Sequence, residues 1–349
     1  MNLRELSRHL GLSQTTVSRA LGGYSDVSAR TRARVVEAAE RLGYSPNTSA
    51  RRLASGRAGT IGLVVPLPKG QFSDPFFLEL LAGIGERLGA EDLDLVVTAA
   101  PAGEAEMKAY DRLVRERRVD GIIVARTRAQ DPRIDFLRER GAPFVAYGRT
   151  EGSLDYPYLD IDSEAGFAEA TARLIGLGHR RIALINAPAT LFFARPRHDG
   201  YARALADAGL PEDPALVVEG NMTEAGGAEA AARLFALPHR PTAVLAANDP
   251  TAIGVLRAAR AAGLPVPQAL SVIGYDDLAL SALSDPPLTT LAQPIREAGA
   301  RLADMLLRRI AGTPAAQLQE IWPPRLVPRG SDGPAPQPAR SDALQGGNP

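Results

Sequence analysis

The chain contains no cysteine. That excludes disulfides and thiolate catalysis and is compatible with a reducing compartment. Lysine is almost as scarce: Lys69 and Lys108 are the whole set, and arginine supplies every other basic side chain, a bias of genome composition rather than of chemistry. Net charge is zero, so the overall balance says nothing about nucleic acid. No apolar run approaches the ~18 residues of a membrane span, and Met1 to Leu10 lacks the apolar core of a secretory leader, so a cytoplasmic protein is expected. The four histidines (His9, His179, His198, His239) fall at no metal-ligand spacing, and His179, at a helix–strand junction, is assigned to capping or packing. No serine sits in a GxSxG elbow, and no phosphate-binding glycine loop follows a strand. Nothing asks for an enzyme, a metal or a cofactor.

What is present is unevenly distributed. The 349 residues, 45% of them hydrophobic, are enough for two or three domains at ~100–200 residues each. Residues 1–59 carry ten arginines against four acids, a local +6 that leaves −6 on the remainder. A basic head on an acidic body is the footprint expected of a phosphate-binding module.

Within that head, SQTTVSRAL (Ser13 to Leu21) follows a short first helix, Leu3 to Leu10, and a glycine, Gly11. Val17, Ala20 and Leu21 fall on one helical face. Gln14, Thr15, Ser18 and Arg19 fall on the other, with side chains long enough to reach base edges or phosphates. The pattern is that of a DNA-binding helix-turn-helix. Gln14, Thr15 and Arg19 are the candidates for base contacts; Ser13, Thr16 and Ser18 are backbone-positioners or caps. A third helix runs from about Ser28 to Leu42, with Val35, Val36, Ala39 and Leu42 inward and Arg30, Arg32, Arg34 and Arg41 outward, on DNA or simply solvated. Pro46 ends it and Asn47 can cap a new helix over Thr48 to Ser55. Two turns are too few to persist alone in water, so this segment is either a linker or a helix that forms only on DNA. In the second case Arg51 and Arg52 meet phosphates and Leu53 wedges a base step in the minor groove.

The body alternates strands and helices. Strands are expected at Thr60–Pro66, Leu93–Thr98, Gly121–Ala125, Pro143–Tyr147, Tyr158–Ile161, Arg181–Ile185, Ala215–Glu219, Ala243–Ala246 and Ser271–Tyr275. Alternation implies parallel sheets covered by helices on both faces. The unit count exceeds one ordinary sheet, so two α/β lobes are expected, with ligands beyond the carboxyl ends of strands. Polar groups gather there. In QFSDPFF, Asp74 offers a carboxylate and Phe76 and Phe77 offer ring faces, the chemistry a carbohydrate pocket needs, although either phenylalanine can instead be helix core. In AANDPTAIG, Asn248 and Asp249 follow a strand, and Asp249 is assigned to capping the next helix. In VIGYDDL, Asp276 and Asp277 point to opposite faces of an extended segment and make a poor acid–base pair. From Pro328 the composition is that of a disordered tail.

SQTTVSRAL, VSARTRARVVEAAERLGYSPNTSARRL and IGLVVP together resemble the lactose/galactose-repressor (LacI/GalR) family of bacterial transcription regulators, over roughly residues 3–327. GRAGTIGLVVPL and QFSDPFF further resemble the alpha-glucoside operon repressors of that family. The resemblance implies an all-α helix-turn-helix head (1–45), a hinge helix and linker (46–59), a two-lobed α/β domain like the type I periplasmic binding proteins (60–327) and a tail (328–349). It implies three crossovers between the lobes, near 147–160, 276–281 and 287–293, and a ligand in the cleft between them. Arg197, Asn248 and Asp276 match the family's ligand arginine, amide and carboxylate, and Asp277 is left to structure. Two positions depart from familiar patterns. Met222 stands where members often have an aromatic platform, and Gly148 where some carry aspartate, with Arg149 beside it as a replacement contact. The function implied is a cytoplasmic, nucleoid-associated homodimer, without a cofactor, that represses a carbohydrate operon through a pseudo-palindromic operator and answers to a small effector, a sugar. The alternatives are a sugar-binding transport receptor, against which the basic head argues, and a regulator of this family with a non-sugar effector.

Overall fold

The computed structural model describes residues 1–22, 24–44, 57–66 and 74–337. Asn47, Arg51, Leu53 and the expected hinge helix lie outside the described residues. The chain divides into two compact units, Met1–Gly59 and Thr60–Pro349.

Among its described residues the first unit has three helices, α1 (Leu3–Leu10), α2 (Gln14–Leu21) and α3 (Ala29–Arg41). Each start carries its own stop on fraying. Asn2 and Glu5 form a reciprocal capping box on α1, Ser13 caps α2 and Ser28 caps α3. Gly11, at φ +64°, ends α1 in the left-handed turn that a side chain disfavours. Leu6, Leu10, Val17, Ala20, Val35, Ala38 and Ala39 close the core. Val36 is not among them: it is 38% exposed. The inward stripe of α3 runs 35, 38, 39, 42, and residue 36 sits one 100° step off it. Two of the outward arginines are structural ties. Arg34 donates to the carbonyl of Leu10 at 2.7 Å and Arg32 to that of Tyr24 at 2.7 Å.

The second unit holds two six-stranded sheets. In chain order the elements are β1 (Thr60–Pro66), α4 (Pro75–Gly89), β2 (Asp94–Ala100), α5 (Glu104–Arg115), β3 (Gly121–Ala125), α6 (Pro132–Glu139), β4 (Phe144–Tyr147), β5 (Tyr158–Ile161), α7 (Ser163–Gly176), β6 (Ile182–Asn186), α8 (Ala194–Asp207), β7 (Val217–Glu219), α9 (Glu224–Phe235), β8 (Ala243–Ala246), α10 (Asp249–Ala261), β9 (Ser271–Asp276), α11 (Ala279–Leu283), β10 (Thr289–Ala292), α12 (Ile295–Ile310), β11 (Gln319–Trp322) and β12 (Arg325–Val327). The sheet orders are β11-β5-β4-β3-β1-β2 and β12-β10-β9-β8-β6-β7. Every pairing is parallel except that of β12 with β10. The central strands are buried on both faces, so they read as unbroken Ile, Leu, Val and Ala rather than as alternation.

Three chain crossings join the lobes; the one expected near 287–293 meets an observed crossing at 292–295, and the other two lie elsewhere than expected. The chain passes between β5 and α7 (161–163), between β10 and α12 (292–295), and between β11 and β12 (322–325). Residues 276–281 are no crossover, because β9 and β10 pair with each other in one sheet. The segment 147–160 stays in one sheet as well, β4 pairing with β5. After the second crossing α12 returns to pack on α4. The approach is so close that a Cβ on Gly83 would lie 1.8 Å from the carbonyl oxygen of Arg296.

The tail assignment is corrected over 328–337. Ser331 is fully buried and its Oγ donates to the carbonyl of Val272 at 2.6 Å. Asp332 accepts from Arg173 Nε at 2.6 Å and from Thr289 Oγ1 at 2.5 Å. The buried imidazole of His179 bridges Thr242 Oγ1 (2.9 Å) to Ser271 Oγ and the carbonyl of Gly333 (both 3.0 Å). Composition missed this strap because its contacts are made by backbone and small polar side chains rather than by apolar bulk.

Among the described residues no helix is long and apolar enough to cross a membrane.

Candidate functional site

The head presents one face of α2. Gln14, Thr15 and Ser18 are exposed. Ser13 is turned back on the helix, its Oγ accepting from the Thr16 amide at 3.0 Å and meeting Thr16 Oγ1 at 2.8 Å. Arg19 is held by Asp26 at 2.8 Å, with its guanidinium 4.7 Å from the Tyr24 ring centroid. The exposed pair is too weak to fix the side chain.

In the body, the ends of both sheets converge on one cavity. From the first lobe come Phe76, Arg126, Tyr147, Gly148, Asp160 and Ile161; from the second come Ser163, Phe193, Arg197, Met222, Tyr275 and Asp276; Gln293 comes from a crossing. Its volume is about 60 Å³, room for about four or five waters. Arg126 and Met222 also border a larger adjoining space of about 680 Å³, with Asp74, Phe77 and Asp249 on its walls.

Arg197 is the cationic centre. It is 5% exposed, and its guanidinium lies 4.1 Å from the Phe193 ring centroid and 4.2 Å from that of Tyr275. One terminal nitrogen donates to the carbonyl of Ala247 at 2.6 Å, while Nε has no hydrogen-bond partner among the described residues. Asp276 faces it at φ +117°. Burial pushes the Asp276 carboxyl well above the usual carboxylate range and the charge of Asp249 adds to this, against smaller opposing effects of Arg197 and Gln293. Gln293 joins the two lobes: its amide donates to Asp276 at 2.5 Å and its carbonyl accepts from the Tyr147 hydroxyl at 2.8 Å. A second carboxylate, Asp160, is also raised by burial, partly offset by Arg149 Nε at 2.6 Å. Phe76 stacks on Tyr147 at 5.8 Å and 13°. Of the non-glycine residues at positive φ, Arg126, Met222 and Asp276 all line this cavity, and such strain concentrates at functional sites.

The cavity therefore gathers Phe76, Arg197, Met222 and Asp276 from the expected set. Asp74 caps α4, pairs with Arg126 and stands on the adjoining space. Phe77 is mainly core, 5% exposed. Two further expected contacts line neither space. Arg149 is drawn to Asp160 over the Phe192 ring. Asn248 caps α10, accepting from Thr251 N and Oγ1 at 3.1 and 2.6 Å and donating to the Met222 carbonyl at 3.1 Å. Asp249, expected to cap, is instead buried under Ser281, Thr290 and the Leu278 amide, with its carboxyl raised by burial to about 6. Asp277 pairs with Arg329 at 2.5 Å. Sequence reasoning missed Arg126, Tyr147, Asp160, Phe193, Tyr275 and Gln293. Tyr147, Asp160 and Tyr275 were at the ends of correctly placed strands, and that position was the available signal.

Two family models match: "Bacterial regulatory proteins, lacI family" over residues 2–47 and "Periplasmic binding protein-like domain" over 171–331. The HTH-type transcriptional regulator AglR of Rhizobium meliloti (strain 1021) is 44% identical over 340 residues, covering 96% of this chain and 95% of that protein. The chain belongs to the lacI family of bacterial regulatory proteins. LacI-family members are DNA-binding transcriptional regulators, not enzymes. Among solved LacI-family structures, a transcriptional regulator CelR–cellobiose complex matches with TM-score 0.74 and 33% identity, covering 95% of this chain and 99% of that one. A lac repressor dimer bound to operator and the anti-inducer ONPF matches with TM-score 0.83 and 28% identity at the same coverage.

Proposed function

We propose that this regulator is a repressor of a carbohydrate operon whose effector is a sugar, an α-glucoside first among the candidates. The observation that carries this is the cavity wall. Carboxylates from opposite lobes, Asp160 and Asp276, flank a forked guanidinium, Arg197, among flat ring faces. Hydroxyls donate to the carboxylates and accept from the arginine, and the C–H faces of a pyranose lie on the rings. Relatives add support, since AglR is similar along nearly its whole length and CelR is known with cellobiose. In this scheme Asp276, Arg197 and Phe76 hold the effector, Met222 replaces an aromatic platform, and Asp74 and Phe77 border the larger space. Arg149 and Asn248 act through their neighbours.

The output is operator DNA. Gln14 and Thr15, with Arg19 released from Asp26, read base edges in the major groove, while Ser13, Thr16 and Ser18 position the helix. Asn47, Arg51 and Leu53 form the hinge contacts in the minor groove. The working unit is a homodimer in the cytoplasm. The strand β2 exposes Val96 and Val97, and Leu78 on α4 is 64% exposed; an exposed apolar surface of this kind invites a second copy.

The test is thermal-shift screening of maltose, sucrose, trehalose and cellobiose beside hypoxanthine and guanine, with operator retention followed in parallel. A sugar at a hundredfold excess over its Kd stabilises by about 2.7 kcal/mol, several degrees in Tm. A shift with a purine and none with any sugar overturns the carbohydrate assignment.

A further inference from the structure

The two lobes touch through more than the three crossings and the cavity wall. Residues 127–129, just after β3, run antiparallel to residues 190–192, just after β6 in the other lobe. The Phe192 amide donates to the Thr127 carbonyl at 3.0 Å and the Ala129 amide to the Thr190 carbonyl at 3.1 Å, with Arg128 and Leu191 directly opposed. All three crossings are remote in sequence from this pairing. Both strands of this miniature ladder start at the cavity. Arg126 and Phe193, each one residue outside it, line the effector space.

The first-lobe strand is unusually well anchored. Arg133, fully buried, uses all five of its N–H donors. Two go to Asp131 (2.8 and 2.6 Å), one to Glu106 (3.1 Å), and two to the carbonyls of Ala125 and Arg126 (3.2 and 2.9 Å). Asp131 in turn accepts from the Arg128 amide at 3.0 Å, and the Arg128 guanidinium reaches Glu106 at 2.5 Å. Gly148 backs the strand: a Cβ there would stand 2.5 Å from Thr127 Oγ1. A buried charge network this fully satisfied is stiff, so the strand is presented rather than flexing. The partner strand is a turn, Pro188 to Leu191, at the surface of the other lobe.

We propose that this pairing is an interlobe latch, with Arg133 as its positioning residue, that couples effector occupancy to the head. The proposal rests on the cavity being the effector site. The space of about 60 Å³ between Asp160 and Asp276 is smaller than a pyranose, so seating one against both carboxylates parts the lobes even if the adjoining space takes the rest of the molecule, and parting them strains the two backbone bonds. The latch therefore has two discrete states, made and broken, and the effector biases them by re-closing or holding apart the cleft.

Because the chain has no cysteine, Arg128→Cys/Leu191→Cys can form one intramolecular disulfide. The two positions are a non-hydrogen-bonded antiparallel pair, for which Cα atoms lie ~4.5 Å apart, within the disulfide range. Operator DNA is first selected from random sequence by the wild-type full-length chain. The oxidised double variant is expected to differ at least fivefold in operator Kd from its own reduced form, reversibly with dithiothreitol. The wild type and each single variant should change less than twofold. Disulfide formation with an unchanged operator Kd overturns the latch, and so does failure of the thiols to pair. A locked variant that shifts the Kd, when no tested sugar binds any form, upholds the latch and rejects the sugar assignment instead.

Discussion

Asp276 carries two burdens, a left-handed backbone and a nearly complete loss of water. Its folded-state pKa lies above the unfolded one, so the native state binds the extra proton and stability falls as pH rises above the ordinary carboxylate range. Asp276→Asn removes the charge and keeps a Gln293 acceptor. It is expected to weaken effector binding more than tenfold by calorimetry, while its Tm stays at or above the wild-type value at pH 8 and the gap narrows toward pH 4. A variant that loses Tm at pH 8 contradicts this account. Single residues also mark where sequence stops informing. Arg197 and Asp276 were singled out through the family resemblance, and both line the cavity. The cap of α10 was assigned to Asp249 and falls to Asn248, because both can cap a helix and both follow β8. Which one does so depends on Ser281 and Thr290, some thirty to forty residues downstream, which reach only Asp249.

At the scale of elements, the head separates stability from recognition along one helix. Ser13→Ala removes the α2 cap and should cost about 1 kcal/mol in urea unfolding. Gln14→Ala should leave unfolding unchanged and weaken operator binding by about 1–3 kcal/mol; equal loss of stability in both would refute the division. The strap over 328–337 makes a pH prediction. Burial lowers the His179 pKa, so the unfolded state binds the proton more readily. Its contribution is complete above about pH 6.5 and is lost as pH falls below that. The protection factors of the Ser331, Asp332, Gly333 and Ala335 amides should fall between pH 6.5 and 5 in the wild type, and a His179→Gln variant should lose that dependence. Most strands were legible because double burial writes them as apolar runs, as in Gly121–Ala125. β10, β11 and β12 were not. They are three or four residues long, two are only partly buried, and β12 is set by pairing with β10 rather than by its own pattern.

At the scale of the molecule, the proposed function depends on two copies. Val97→Lys on the β2 edge should shift the sedimentation coefficient toward monomer at micromolar concentration and lower operator affinity at least a hundredfold, since each copy supplies one recognition helix. Unchanged sedimentation would move the dimer face elsewhere. The two-lobed plan itself was legible from the number of alternating units. The positions of two of the three crossings were not, because nothing local distinguishes a loop that stays in its sheet from one that leaves it.

Those crossings also set a timetable. The first lobe begins with β1 but is completed by α12 and β11, so the glycine face of α4 waits for a helix roughly 200 residues later in the chain. At ~5–20 residues per second of synthesis, that face stays uncovered for about ten to forty seconds on the ribosome. Until then α4 offers its apolar side to whatever is nearby, and chaperones and proteases have their best opportunity in that interval. A message cut short before residue 295 yields a body that cannot close.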